Sequence, residues 1–207
     1  MFDLIFVLEM IGTISFAVSG AMSAIKKHLD LFGVVILGLV TATGGGVIRD
    51  LILGVNPPLA FVNPVYGIIA IISSFTAFVI VSRNIMPHDN PKYELLHQII
   101  DTIGLGVFTV VGIRYAHNIS ETFNLYLVVF VGVITGVGGG VLRDVLTANT
   151  PYIFVKHVYA SACLVGALVS GILWTYLSES VCMIVGSATV ILIRVLAIHY
   201  KWNLPKL

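Results

Sequence analysis

Charge is scarce in this sequence. Only 10% of its 207 residues are Asp, Glu, Lys or Arg, against about 25% in ordinary soluble domains. Those few charges nearly cancel, at a formal +1, so there is no basic stripe of the kind that neutralises nucleic-acid phosphates. Cysteine is almost missing too. The two present, Cys163 and Cys182, lie in apolar stretches and read as small hydrophobes, which excludes a disulfide-stapled scaffold. The six histidines show no H-x-x-x-H spacing, so no metal site and no cofactor are expected. No nucleophile–base pair stands at helical spacing, which argues against an enzyme. Met1-Phe2-Asp3-Leu4 lacks a basic n-region and no small-residue cleavage pattern follows, so the first apolar stretch is expected to be a retained span.

What the sequence has in quantity is apolar surface: 58% hydrophobic residues and a mean hydropathy of +1.04. A membrane-spanning helix needs about 20 mostly apolar residues. Seven candidate spans meet that length, at about 4–25, 31–54, 64–82, 95–114, 123–147, 157–177 and 181–199. Lys26-Lys27-His28-Leu29-Asp30, Asn56-Pro57-Pro58, Asn63-Pro64 and the polar stretch 84–93 with Pro87 and Pro91 separate them. The expected fold is an all-α membrane protein of seven transmembrane helices. Lys26, Lys27, Arg83, Lys92, Lys156, Lys201 and Lys206 fall on one side and Arg114 alone on the other. The positive-inside rule then puts the N-terminus outside and the C-terminus in the cytoplasm. Arg194, near the inner end of the seventh span, is expected to snorkel.

The chain repeats itself. Thr43-Gly44-Gly45-Gly46-Val47-Ile48-Arg49-Asp50 returns as Val137-Gly138-Gly139-Gly140-Val141-Leu142-Arg143-Asp144. Outside that motif, Ile11-Gly12 and Phe16 match Ile103-Gly104 and Phe108, Pro57 matches Pro151, Val65-Tyr66 matches Val158-Tyr159, and Glu9 falls on Asp101. Each half holds three spans, an odd number, so the second half must start from the opposite face. That predicts an inverted-topology repeat, residues 1–86 and 87–180, with residues 181–207 as a seventh helix and short tail.

Two sets of polar residues lie inside the spans. Glu9, Arg49 and Asp50 form one expected cluster and Asp101, Arg143 and Asp144 the other, with Glu9 paired to Arg49 and Asp101 to Arg143. A guanidinium can hold a carboxylate through two hydrogen bonds. Such pairs either pin helices together or gate a passage. The glycine triplets also have two readings. Small residues let helices approach closely, which suits Gly132-x-x-x-Gly136. Three adjacent glycines point three ways around a helix, and the expectation is that spans two and five break there, exposing carbonyls to a wet cavity that favours a cation. Thr41, Thr43, Thr135, Thr147, Ser15, Ser19, Thr102 and Thr109 line such a path or bond back to their own helices. Gly136-Val137-Gly138-Gly139-Gly140 faintly matches a dinucleotide fingerprint but has no preceding strand or βαβ unit.

The doubled G-G-G-x-x-R-D motif in a seven-span chain of two three-span repeats resembles the prokaryotic TRIC family, the trimeric intracellular cation channels. The same proteins are grouped as a glycine-transporter or uncharacterised-membrane-protein domain occurring twice per chain. The resemblance covers essentially residues 3–200. It implies a homotrimer with one pore per protomer, spans two and five kinked at their triplets, and passage of potassium and, less selectively, sodium. Pore positions carried over are Gly44, Gly45, Gly46, Gly138, Gly139 and Gly140, with Thr43 and Thr135 beside them. The implied setting is a bacterial or archaeal cell membrane, with lipids as neighbours and no nucleic acid or soluble partner. Animal relatives carry a longer basic tail, which makes regulation through a tail doubtful here. The T-V-G-Y-G filter of tetrameric potassium channels is missing, so modest selectivity is expected. The alternative is a secondary transporter of a small zwitterion such as glycine, for which broken helices in inverted repeats serve equally well.

Overall fold

The computed structural model describes residues 4–83, 85, 90–119, 124–155 and 158–202. Lys156, Lys206, Asn84, Pro87, His88, His157 and the expected 86/87 boundary lie outside the described residues. The described residues are all helical or irregular. They form α1 (Leu4–Lys26), α2 (Leu31–Ile52), α3 (Leu59–Val62), α4 (Pro64–Ser82), α5 (Pro91–Ile119), α6 (Leu125–Leu146), α7 (Tyr152–Val155), α8 (Ala160–Leu173) and α9 (Glu179–His199). Six of these, α1, α2, α4, α5, α6 and α9, are long and apolar enough to cross a membrane. The expected span 157–177 is helical over Ala160–Leu173, 14 residues, or about 21 Å of helix.

Local chemistry sets the helix starts. The Asp30 carboxylate accepts from Gly33 N at 2.7 Å, opening α2. Asn63, with Pro64 as the first helical residue, accepts from Val65 N at 3.1 Å at the head of α4. Asn124 accepts from Leu127 N at 3.1 Å and opens α6. Each side chain satisfies a backbone donor that the first helical turn leaves free.

The ends of α2 and α6 are built alike. Val55 N donates to Asp50 O and Asn149 N to Asp144 O, each at 2.8 Å. Gly54 and Ala148 adopt the left-handed conformation, at φ 73° and 53°. These are the paired bonds of a Schellman cap. The short helices α3 and α7, which the sequence did not suggest, follow these caps. Their first backbone donors are held by the same aspartates: Leu59 N to Asp50 Oδ2 at 2.8 Å, and Tyr152 N to Asp144 Oδ2 at 2.9 Å.

The expected break at the triplets is corrected. Helix α2 runs unbroken through Gly44, Gly45 and Gly46, and α6, the fifth expected span, runs unbroken through Gly138, Gly139 and Gly140. The physical reason is contact. A Cβ on Gly45 would strike the Thr135 carbonyl, and a Cβ on Gly139 would strike the Thr41 carbonyl. The missing side chains let two intact helices cross almost backbone to backbone, so each keeps its own hydrogen bonds. Gly132 and Gly136 do the same for α6 against α5, where an added Cβ would come within 3.0 and 3.1 Å of Thr109 O and Leu105 O.

The pairings give the directions. Gly45 meets Thr135 while Gly139 meets Thr41, so α2 and α6 cross antiparallel. On α1 and α5, Glu9 bonds Tyr115 while Lys26 pairs with Glu94, so these also run antiparallel. Helices α1, α2, α5 and α6 pack together at the centre. Helix α4 packs on α1 and α2, and α8 and α9 pack on α5 and on each other. The main core holds Phe16, Ala17, Ala42, Leu105 and Val137 from the central helices, with Tyr159 and Cys163 against them.

Candidate functional site: two polar clusters either side of a packed waist

The first cluster lies near the start of α1. Glu9, 7% exposed, accepts hydrogen bonds from Tyr66 Oη at 2.5 Å and Tyr115 Oη at 3.0 Å. Arg49 does not take the expected place against Glu9. Its Nη2 lies 2.7 Å from Asp50 Oδ1, its Nε donates to the same oxygen at 2.8 Å, and its guanidinium sits 3.8 Å over the Tyr115 ring. Tyr115 therefore stands between the expected partners, offering its face to the cation and its hydroxyl to the carboxylate.

The second cluster is more deeply buried. Arg143 is wholly enclosed. Its Nη1 bonds Asp101 Oδ1 and also Ser19 Oγ, the latter at 2.6 Å. Its Nε donates to Asp144 Oδ1 at 2.9 Å. Ser19 donates to Asp101 Oδ1 at 3.0 Å and lies 3.0 Å from His97 Nε2. The Arg143 guanidinium lies 5.0 Å from the Tyr152 ring centre. The structure thus brings Asp101, Arg143 and Asp144 together, with Ser19 and His97 added. An unpaired ion at membrane depth is expensive, and two carboxylates around one guanidinium, tied by further hydrogen bonds, reduce that cost.

Arg194 differs from expectation. It does not snorkel; it is 3% exposed, donates from Nη1 to Val158 O at 3.1 Å, and lies 5.0 Å from the Tyr159 ring centre. The aromatic ring and the free carbonyl ahead of α8 give the cation partners that a lipid-facing position would lack.

Two cavities approach the waist from opposite ends of α1. One, about 50 Å³, is lined by Glu9, Thr13, Thr43, Gly46, Tyr66 and Tyr115 among others. The other, about 280 Å³, is lined by Ser23, Lys26, Glu94, His97, Asp144 and Tyr152 among others. Of the expected pore residues, Thr43 and Gly46 line the first cavity. Gly45, Gly138, Gly139 and Thr135 are buried in the α2–α6 contact. Gly44 faces Leu142. Gly140 faces Tyr159 Oη. The expected hydroxyl path is largely turned inward: Thr41, Thr43, Thr109 and Thr135 donate to carbonyls four residues back on their own helices, at 2.6 to 2.9 Å.

A family model described as Glycine transporter matches residues 6–82 and again residues 98–175. A UPF0126 inner membrane protein, YadS of Escherichia coli K12, is 38% identical over 205 residues, spanning 98% of this chain and 95% of that protein. The UPF0126 membrane protein YvgT of Bacillus subtilis is 35% identical over 198 residues, spanning 96% and 94%. Among solved structures, a TRIC cation channel determined for the structural basis of its conductance shares 38% identity at a TM-score of 0.86, covering 99% of this chain and 98% of that one. A prokaryotic TRIC channel crystallised in 0.5 M KCl shares 31% at a TM-score of 0.89, covering 99% and 100%.

The chain belongs to the prokaryotic TRIC family.

A TRIC orthologue from Rhodobacter sphaeroides, 28% identical over 96% of this chain and 99% of its own, has the same fold at a TM-score of 0.87. With six long apolar helices, this TRIC chain is a multi-pass bacterial membrane protein. The residues that sequence reasoning passed over are chiefly tyrosines. Tyr66, Tyr115, Tyr152 and Tyr159 surround the two clusters. The recurrence of Val65-Tyr66 as Val158-Tyr159 was the available signal. Nothing in the sequence pointed to Tyr115, whose place depends on α5 lying antiparallel to α1.

Proposed function

We propose that this TRIC chain is a monovalent cation channel, permeable to potassium and less selectively to sodium, with the path inside each protomer of a homotrimer. The observation that carries the reading is the whole-chain likeness, at a TM-score of 0.86 and 38% identity, to a TRIC cation channel. The relatives named trimeric channels support the trimer. The path runs between two inverted three-helix repeats, residues 1–86 and 87–180, with residues 181–207 outside the repeat. Antiparallel crossing of the corresponding helices, α1 with α5 and α2 with α6, supports that division.

The route joins the two cavities. Thr13 lines one and Met22 the other, so roughly 13 Å of α1 separates them. Phe16, Gly45 and Gly139 occupy the stretch between, Phe108 borders the smaller cavity, and opening requires α2 and α6 to separate there. Thr43, Thr135 and the six glycines border the opened path, and the Glu9, Arg49, Asp50 and Asp101, Arg143, Asp144 clusters hold its walls or gate it. Among the described residues the glycine triplets keep their carbonyls in intact helices, which fits modest discrimination. By the count of basic loop residues, the larger cavity with Lys26 and Lys27 faces the cytoplasm and the N-terminus lies outside.

The test is purified protein in a planar bilayer under a potassium gradient with sodium and chloride present. Discrete current steps reversing toward the potassium equilibrium potential are expected. Saturable glycine uptake without such steps would replace the channel reading by the carrier that the family model's description suggests.

A further inference from the structure

We propose that Asp101 and Tyr159 share one buried, ordered water molecule, which the matching pair Glu9 and Tyr66 does without. In the first cluster the tyrosine reaches the carboxylate directly, Tyr66 Oη to Glu9 Oε2 at 2.5 Å. In the second cluster the corresponding residues are Tyr159 and Asp101, and aspartate ends one methylene short, about 1.5 Å of chain. Both are enclosed, Tyr159 at 1% and Asp101 at 0% exposure. Among the described residues, neither Tyr159 Oη nor Asp101 Oδ2 has a hydrogen-bond partner. The bonds to Asp101 from Ser19 and Arg143 both fall on Oδ1. Buried polar oxygens left without partners are rare, and an enclosed water is the usual remedy.

The surroundings select the ligand. A Cβ built on Gly140 would lie 2.8 Å from Tyr159 Oη and 3.7 Å from Arg143 Nη2. The bare glycine therefore lets the Tyr159 hydroxyl come up against the helix beside Arg143 Nη2, which also lacks hydrogen-bond geometry to any partner among the described residues. At the matching Gly46 the nearest such atom is Arg49 Nη2 at 3.8 Å, with no tyrosine hydroxyl, because Tyr66 has gone to Glu9. A cation in the second site would face the Arg143 guanidinium, and a halide would face the Asp101 carboxylate. Water can accept from Tyr159 Oη or Arg143 Nη2 and donate to Asp101 Oδ2, so it meets both kinds of neighbour.

Two measurements test this. A crystal structure of the intact protein at a resolution that shows solvent is expected to place one peak within hydrogen-bond distance of Asp101 Oδ2 and Tyr159 Oη. A direct bond between the two residues, no density between them, or an anomalous peak there after bromide or thallium soaking would overturn it. The second measurement is thermal melting of Asp101→Glu, Tyr159→Phe and the double variant. Asp101→Glu should fold, its extra methylene taking the place of the water and restoring the direct bond seen at Glu9. Tyr159→Phe should then lower the melting temperature more in the Asp101→Glu background than in the parent. Equal drops in both backgrounds, or an Asp101→Glu chain that does not fold, would mean that no water-sized gap exists.

Discussion

Phe16 and Phe108 occupy corresponding places in the two halves and face each other at the waist, with ring centres 5.3 Å apart and planes at 53°. Each ring lies against a glycine of the other's helix: Phe108 beside Gly12 on α1, and Phe16 beside Gly104 on α5. The glycines are the recesses into which the rings fit, and under the proposed route this pair is what closes it.

Removing one ring should loosen that closure. Phe108→Ala is expected to raise channel open probability at least several-fold in a planar bilayer, with a stability loss of about 3–5 kcal/mol from the cavity left behind. Unchanged currents from a folded Phe108→Ala protein would put the closure elsewhere.

Gly45→Ala and Gly139→Ala should each lower the melting temperature of detergent-purified protein, by the equivalent of about 1–3 kcal/mol. Their new methyl groups would meet the backbone carbonyls of Thr135 and Thr41, which cannot rotate away. Gly67→Ala is the control, because the nearest atom to its Cβ is Leu39 Cδ1 at 3.9 Å. The larger Gly45→Leu and Gly139→Leu changes should abolish ion flux while membrane insertion persists. Similar melting for all three alanine variants would remove the close crossing of α2 and α6 as the reason for the triplets.

Arg143→Ala should be more damaging than Arg49→Ala. Arg143 holds two carboxylates, Asp101 and Asp144, in complete burial, and stranding them costs about 3–5 kcal/mol. Arg49 holds Asp50, and since Asp50 and Asp144 each keep a backbone bond, from Leu59 N and Tyr152 N, when the arginine is gone, the difference rests on Asp101. Arg143→Lys should recover little, since an ammonium cannot reproduce the guanidinium fork. Thermal unfolding of the three variants decides it, and a larger loss for Arg49→Ala would contradict the difference in burial.

Tyr66→Phe and Tyr115→Phe each remove one hydrogen bond to the Glu9 carboxylate. Each is expected to cost about 1.5–3 kcal/mol, as for bonds to charged acceptors. In a Glu9→Gln background both penalties should shrink. Penalties that do not change with the residue at position 9 would show that the rings act only through packing.

Much of the architecture was legible in the residues. Hydropathy located six of the seven expected spans as long apolar helices with ends within about five residues, because span length is set by the thickness of hydrocarbon. The recurrence of Gly-Gly-Gly-x-x-Arg-Asp marked the residues that meet at the centre. Asp101 and Arg143 were paired from their positions in the repeat, and the structure brings them into contact. The errors share one cause. Whether Gly45 breaks a helix or seats one helix against another depends on what lies opposite, and only the α2–α6 crossing supplies the Thr135 carbonyl. Likewise Arg194 was expected to snorkel, because its partners, Val158 O and the Tyr159 ring, are far from it along the chain.

The sequence by itself determined that this protein lives in a membrane, that it is doubled, and that a few charges sit where water is scarce. These follow from composition and spacing, which are local quantities. The tertiary structure decided which partner each charge takes and whether the glycines open or close the middle of the molecule. Those depend on distances of a few ångströms between helices remote in sequence. Tyr66 bonds Glu9 directly, whereas the hydroxyl of its counterpart Tyr159 has no partner among the described residues, a difference the repeat alone did not contain.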